Sequence, residues 1–150
     1  MKLIRFGLNE QEKPGVHING KNYDVSAFVQ DYNEAFFANN GLEALEKIVS
    51  QQTLSEIPAT ERIGSPVARP SKIVCIGLNY AKHAKETGAA IPAEPIIFMK
   101  STTSLTGPND NIIIPKNSVK TDWEVELAVV IGKKASYVEE REAMDYVAGY

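Results

Sequence analysis

Residues 121–131 read Thr-Asp-Trp-Glu-Val-Glu-Leu-Ala-Val-Val-Ile, and the reading of this run decides the fold. Side chains on a strand alternate between faces. Glu124 and Glu126 therefore project to one side, and Trp123, Val125, Leu127, Val129 and Ile131 to the other. Beyond the two acids the first side turns apolar as well, with Ala128 and Val130. A strand apolar on both faces is predicted to be buried, and two acids in its first half then need compensation for lost hydration. A hard divalent cation would provide it, because Mg²⁺ takes carboxylate oxygens and keeps waters for a substrate to displace. The other reading places the glutamates at an exposed strand end, paired with Lys120 or Lys133. Spacing alone leaves both open.

Working outward, Ser136 with Glu139 three residues on forms a capping box that predicts a helix through Val147. Residues 147–150 then read as the start of another strand. No later element closes the sheet, which predicts an unpaired edge and suggests the amino-terminal half of a longer, truncated chain. Upstream, Lys72–Ile76 is expected as a buried strand, 79–87 as a polar helical stretch, and Pro95–Met99 and Ile112–Ile114 as further strands. Residues 53–71, with Pro58, Pro66, Pro70 and Gly64, read as a connection with little regular structure.

The first 52 residues have a different character. Lys2–Phe6 reads as a strand, followed by a polar link ending at Pro14-Gly15. A hairpin then sets Val16-His17-Ile18 against Lys21-Asn22-Tyr23, because Asn19-Gly20 tolerates the positive φ angles of a type I′ turn. Ser26 is expected to cap a helix carrying Phe28, Val29, Tyr32 and Phe36, with Asn39-Asn40-Gly41 ending it. Leu42, Leu45, Ile48 and Val49 mark a second amphipathic helix. The fold class is thus α+β: a small amino-terminal α+β domain over 1–52, a connection over 53–71 and a β-rich domain over 72–150.

Composition narrows the function classes. With 43% hydrophobic and 23% charged residues the chain suits a globular protein, and a net charge of −3 argues against nucleic acid or a membrane surface as partner. Lys72, Lys82, Lys85, Lys100, Lys116 and Lys120 form a mild local excess that would suit an anionic small molecule, or simply stay solvated. The single cysteine, Cys75, sits in an apolar run and reads as a buried, inert thiol rather than a nucleophile. No signal-peptide core or membrane span is evident, so a cytoplasmic location is expected.

A second cluster lies in Gly77-Leu78-Asn79-Tyr80-Ala81-Lys82-His83-Ala84-Lys85-Glu86. If this stretch is helical, His83 and Glu86 share a face. A carboxylate that holds one imidazole nitrogen fixes the tautomer and raises the basicity of the other, making a base for water. An exposed helix with both side chains merely solvated is the alternative. His17, beside the hairpin turn, looks structural. The chain has no GxGxxG, P-loop, CxxC, HExxH or GxSxG pattern, and its aromatics are too dispersed for base stacking.

Taken together, KIVCIGLNYAKHAKETG, PIIFMK, the turn at Gly107-Pro108, TDWEVELAVVIGK and the terminal VAGY resemble the fumarylacetoacetate hydrolase family in order and spacing. The wording is most similar to the branch acting on 2,4-diketo-3-deoxy sugar acids, some members of which carry the name ureidoglycolate lyase. The resemblance implies that residues 72–150 are the first part of a mixed β-roll catalytic domain that forms a homodimer. It implies Mg²⁺ (or Mn²⁺) held by Glu124, Glu126 and an aspartate beyond Tyr150, a water-activating dyad of His83 and Glu86 on a lid, and a substrate-binding Lys100. Leu78 departs from the arginine of some acylpyruvate-cleaving relatives. The implied activity is hydrolytic cleavage of a carbon–carbon bond in an anionic 2,4-dioxo acid. A lyase or oxo-acid decarboxylase on the same scaffold, or an inactive truncated dimerisation partner, are the alternatives.

Overall fold

The computed structural model describes residues 1–150. Five antiparallel strands form the main sheet in the order β4-β3-β2-β1-β5: β1 (Lys2–Phe6), β2 (Lys13–Ile18), β3 (Lys21–Asp24), β4 (Ser55–Glu56) and β5 (Ile63–Gly64). The hairpin between β2 and β3 turns as the sequence predicts, with Asn19 at φ 50° and Gly20 at φ 82°. Its register sets Val16 against Tyr23 and His17 against Asn22, and His17 Nδ1 lies 2.7 Å from Asn22 Oδ1.

Two expectations here are corrected. Pro14 and Gly15 belong to β2 rather than to a link, pairing with Arg5 and Ile4 of β1. Gly15 is required there, because a Cβ would stand 2.9 Å from the Tyr23 carbonyl oxygen. The connection over 53–71 also contributes β4 and β5, which pair with β3 and β1. Strands of two residues carry no readable periodicity, so the prolines and glycine around them dominate the sequence signal.

The helices close one face of this sheet. Ser26 does not open a helix: the Asp24 carboxylate takes its backbone N–H at 2.7 Å, and only one turn follows, with Val29 N–H donating to Val25 O at 3.0 Å. The helix α1 (Glu34–Ala38) starts later, capped by Asn33, whose side chain accepts from the Phe36 N–H at 3.0 Å. A second helix, α2 (Gly41–Gln51), follows directly. Val16, Val25, Val29, Tyr32 and Leu45 form the buried core, with Leu3, Ile18, Phe36, Phe37 and Ile48 packed on it. Tyr32 is fully buried, and its hydroxyl donates to the Gly15 carbonyl at 2.8 Å. Burial, then the neighbouring Asp31 charge, push that phenol well above its ordinary value.

The chain divides into two compact units, residues 69–105 forming one and residues 1–68 with 106–150 the other. In the first, β6 (Ile73–Gly77) pairs antiparallel with β7 (Ile96–Lys100), and α3 (Ala81–Thr87) lies between them in sequence. Gly88, at φ 67°, ends α3 with its N–H donating to Ala84 O and Lys85 O. The expected strand and helix are thus present, but β6 is not buried: Val74 and Ile76 are exposed and Cys75 is half-buried.

The segment 106–150 departs furthest from expectation. Of the long strand over 124–131 only β8 (Val130–Ile131) is formed, paired with β9 (Val147–Gly149), and 112–114 is no strand. Trp123, Val125, Leu127 and Val129 are exposed, as are Glu124 and Glu126. A strand exists only where a neighbouring strand pairs with its N–H and C=O groups, and the ladders outside the main sheet run over Ile73–Gly77 with Ile96–Lys100 and Val130–Ile131 with Val147–Gly149, not over 111–129. The Ser136–Glu139 box is not formed either. A 3₁₀ helix over Glu140–Tyr146 follows Glu139 without a side-chain cap. No helix is long and apolar enough to cross a membrane.

Candidate functional site

Glu124 and Glu126 lie in the extended stretch before β8, both solvent-exposed. His83 and Glu86 lie on α3, one turn apart and both exposed, while Ala84 between them is buried. The helix is therefore anchored through Ala84 and offers the two polar side chains outward. No hydrogen bond or ion pair joins His83 to Glu86; the His83 carbonyl accepts from Thr87 Oγ1 at 3.0 Å. Lys100 ends β7, opposite Ile73 in the register, and is exposed. Leu78, between β6 and α3, takes a left-handed φ of 50°, which costs a non-glycine residue energy and turns the chain out of the strand.

No group of three His, Cys, Asp or Glu side chains gathers to hold a metal ion. Two hard carboxylates suit Mg²⁺ or Mn²⁺ by donor type. The donor chemistry of Glu124 and Glu126 fits such an ion.

A charged network that the motifs do not reveal lies on the main sheet. Arg5, on β1, holds Asp31 through Nε–Oδ1 at 2.7 Å and Nη2–Oδ2 at 3.2 Å, both side chains buried. Glu12 sits between two arginines, 3.5 Å from Arg5 Nη2 and 3.0 Å from Arg62 Nη1. Arg62 then reaches Asp110 with Nε–Oδ1 at 2.8 Å and Nη2–Oδ2 at 2.6 Å. Asp110 also accepts from Thr106 Oγ1 at 2.8 Å and from the Gly107 N–H at 2.7 Å. Burial alone would raise the Glu12 carboxyl. The Arg62 hydrogen bond, its backbone bond and the two guanidinium charges outweigh this and hold it below its ordinary value. The Arg62 hydrogen bonds, then those from Thr106 and Gly107, hold the Asp110 carboxyl well below the usual range. Gly107 has no room for a side chain, since a Cβ would collide with the Ile63 carbonyl oxygen. The Gly-Pro-Asn-Asp turn signature was the available sequence signal; its arginine partner had none.

Comparison with known proteins places this chain. Residues 72–150 match the fumarylacetoacetate (FAA) hydrolase C-terminal family. A Burkholderia ambifaria protein and a Burkholderia cenocepacia protein, both assigned as hydrolases by inference, are each 50% identical over 151 residues, a match covering all of this chain and 53% of theirs. Among solved structures, a Mycobacterium smegmatis protein assigned by inference as HpcE aligns with a TM-score of 0.79 and 31% identity, over 99% of this chain and 52% of that one. Maleylpyruvate hydrolase from Sphingobium sp. SYK-6, in complex with manganese(II) and pyruvate, aligns with a TM-score of 0.72 and 25% identity, over 98% of this chain and 55% of that one. The chain belongs to the fumarylacetoacetate hydrolase family, and it spans about half the length of the curated relatives it matches.

Proposed function

We propose that the protein to which these residues belong is a divalent-metal-dependent hydrolase that cleaves a carbon–carbon bond of a 2,4-dioxo acid. The observation that carries this reading is the likeness, over nearly the whole chain, to a maleylpyruvate hydrolase solved with manganese and pyruvate. Glu124 and Glu126 would hold the ion together with a ligand from polypeptide outside these residues. A divalent ion there supplies Lewis acidity toward a 2-oxo acid and stabilises negative charge developing on it.

The chain's own residues would do the rest. His83 takes a proton from water at one imidazole nitrogen. Glu86, one turn along α3, orients the ring once a change of side-chain rotamer brings the exposed pair into contact. The water oxygen bonds to the distal carbonyl carbon and the adjoining carbon–carbon bond breaks. Its electron pair leaves with the pyruvate fragment as an enolate, which is then protonated. Lys100 adds positive charge for the substrate carboxylate. The similarity of the TDWEVEL and PIIFMK runs to the sugar-acid branch favours a 2,4-diketo-3-deoxy sugar acid as substrate, in a cytoplasmic homodimer. The lone Cys75, free and half-buried, suits a reducing compartment.

The test is a panel of 2,4-dioxo acids offered to protein of the relatives' full length, with Mn²⁺ or Mg²⁺ and after chelation. Divalent-dependent release of pyruvate together with a second acid is expected. Turnover that survives chelation, or none on any dioxo acid, rejects the reading.

A further inference from the structure

The sequence holds two Asn-Gly pairs, Asn19-Gly20 and Asn40-Gly41. In this dipeptide the asparagine is thermolabile, because the next backbone nitrogen, unshielded by a side chain, can attack the side-chain carbonyl carbon. Both asparagines are exposed and both take a left-handed φ, 50° at Asn19 and 56° at Asn40. Their surroundings differ. Ring closure needs the following peptide turned so that its nitrogen faces Cγ, near the φ of about 60° and ψ of about −120° at the first central position of a type II′ turn. Asn19 and Gly20 form the type I′ loop beyond Ile18 and Lys21, the last pair of the β2–β3 ladder. Flipping the single Asn19–Gly20 peptide converts I′ to II′ and carries Gly20 from φ 82° to about −80°, angles that glycine takes with equal ease. Both turn types suit a two-residue hairpin, so Ile18 and Lys21 stay paired. A Cβ built on Gly20 would meet nothing, so no neighbour obstructs the flip. Asn40 lacks this freedom. Its ψ is 34°, its carbonyl accepts from the Ala44 N–H at 3.2 Å in the first turn of α2, and the buried Gly41 lies against the Phe36 ring. The same flip there would break that bond and displace a packed glycine.

We infer that Asn19 is a site of spontaneous modification, converted through a succinimide to aspartyl and isoaspartyl forms, while Asn40 is spared. The Gly20 nitrogen bonds to Asn19 Cγ and the Cγ–Nδ2 bond breaks. The Gly20 N–H proton passes by way of solvent to Nδ2, which leaves as ammonia. Water then adds to one of the two ring carbonyls and the bond from that carbon to the Gly20 nitrogen breaks. Opening at Cγ leaves an ordinary aspartate. Opening at the main-chain carbonyl leaves the chain running through Cγ. No oxidant or reductant takes part. Either product adds one negative charge at the hairpin tip beside Lys21. The isoaspartyl form also lengthens a two-residue loop by one backbone atom, which disturbs the register that seats Val16 and Tyr23 on the core.

The two pairs serve as each other's control within one chain. The protein is incubated at mildly alkaline pH, with and without denaturing urea, then digested and read by tandem mass spectrometry. Amide-to-acid conversion and the chromatographic shift of isoaspartyl peptides report each site. In the folded chain Asn19 should convert about tenfold or more faster than Asn40, because only its opening leaves the surrounding structure intact. In urea the two rates should draw together, since each asparagine is followed by glycine. Asn40 converting as fast as Asn19 in the folded chain overturns the inference. So does an Asn19 that stays intact when folded yet converts in urea. A lead for Asn19 that persists undiminished in urea overturns it too, because local sequence rather than the turn would then set the rate.

Discussion

Arg62 and Asp110 stand 48 residues apart in sequence and meet fork to fork, two guanidinium nitrogens on two carboxylate oxygens. The pair ties the turn that opens the 106–150 segment to the end of the five-stranded sheet, because Ile63 of β5 follows Arg62 directly. Bidentate geometry makes this more specific than an ordinary surface ion pair. Its consequence is acid sensitivity. The folded Asp110 carboxyl is depressed from its ordinary value of 3.8, and that of Glu12 from 4.5. Such groups stabilise the fold above their ordinary values, and the stabilisation is lost as pH falls through the folded ones. The Tm of the chain should therefore fall as pH is lowered from about 5 to about 3. Asp110→Asn should flatten part of that slope and start from a lower Tm at neutral pH. A slope identical in the variant would remove Asp110 from the account.

Arg5 and Asp31 make a stronger claim on stability because both are buried. Arg5→Met leaves the Asp31 carboxylate out of water without its guanidinium, which costs about 3–5 kcal/mol. Arg5→Met with Asp31→Leu should recover part of the loss, since a buried pair replaced by apolar groups is often nearly neutral. Recovery stays partial because the Tyr32 N–H also donates to Asp31, at 2.9 Å. Urea unfolding of the two variants decides this. A double variant no more stable than the single one would mean that the pair matters through its other contacts.

Gly41 poses a question of sign. As the first residue of α2 it could gain up to about 1 kcal/mol of helix propensity on replacement by alanine. A Cβ there would overlap the Phe36 ring and carbonyl oxygen, both backed by the core. Overpacking of this kind costs about 1–3 kcal/mol, so Gly41→Ala should lower stability. A raised Tm would show that α1 and α2 can part without cost.

The hairpin and α2 were legible because each is governed by local rules: Asn19-Gly20 for the turn, and Leu42, Leu45, Ile48 and Val49 for the helical face. The start of α1 was misread because Phe28, Val29, Tyr32 and Phe36 have helical spacing for another reason. Val29, Tyr32 and Phe36 pack on the core from a turn and a later helix, while Phe28 is exposed. Local hydrogen bonding by Asp24 and Asn33 overrode the periodicity. The candidate carboxylates were legible as a pattern, whereas their strand was not, because a strand is a property of two segments and the sequence displays one. Arg62 lay in a connection without periodicity, and nothing in its neighbourhood announces a partner 48 residues away.

Glu124 and His83 can be separated by what each loses. In protein of the relatives' full length, Glu124→Ala removes one of the two carboxylates proposed to hold the ion, so Mn²⁺ affinity and turnover should fall together. His83→Ala removes only the proposed proton acceptor. It should leave Mn²⁺ affinity unchanged and lower kcat by about 10²–10⁴-fold, the usual contribution of a positioned base. Glu86→Gln should act through His83, giving a smaller loss of kcat than His83→Ala with Mn²⁺ affinity unchanged, since the ring loses the group proposed to orient it. Calorimetric Mn²⁺ titrations beside steady-state rates distinguish the three. If His83→Ala weakens metal binding as much as Glu124→Ala does, the imidazole is a ligand and the base must be sought elsewhere.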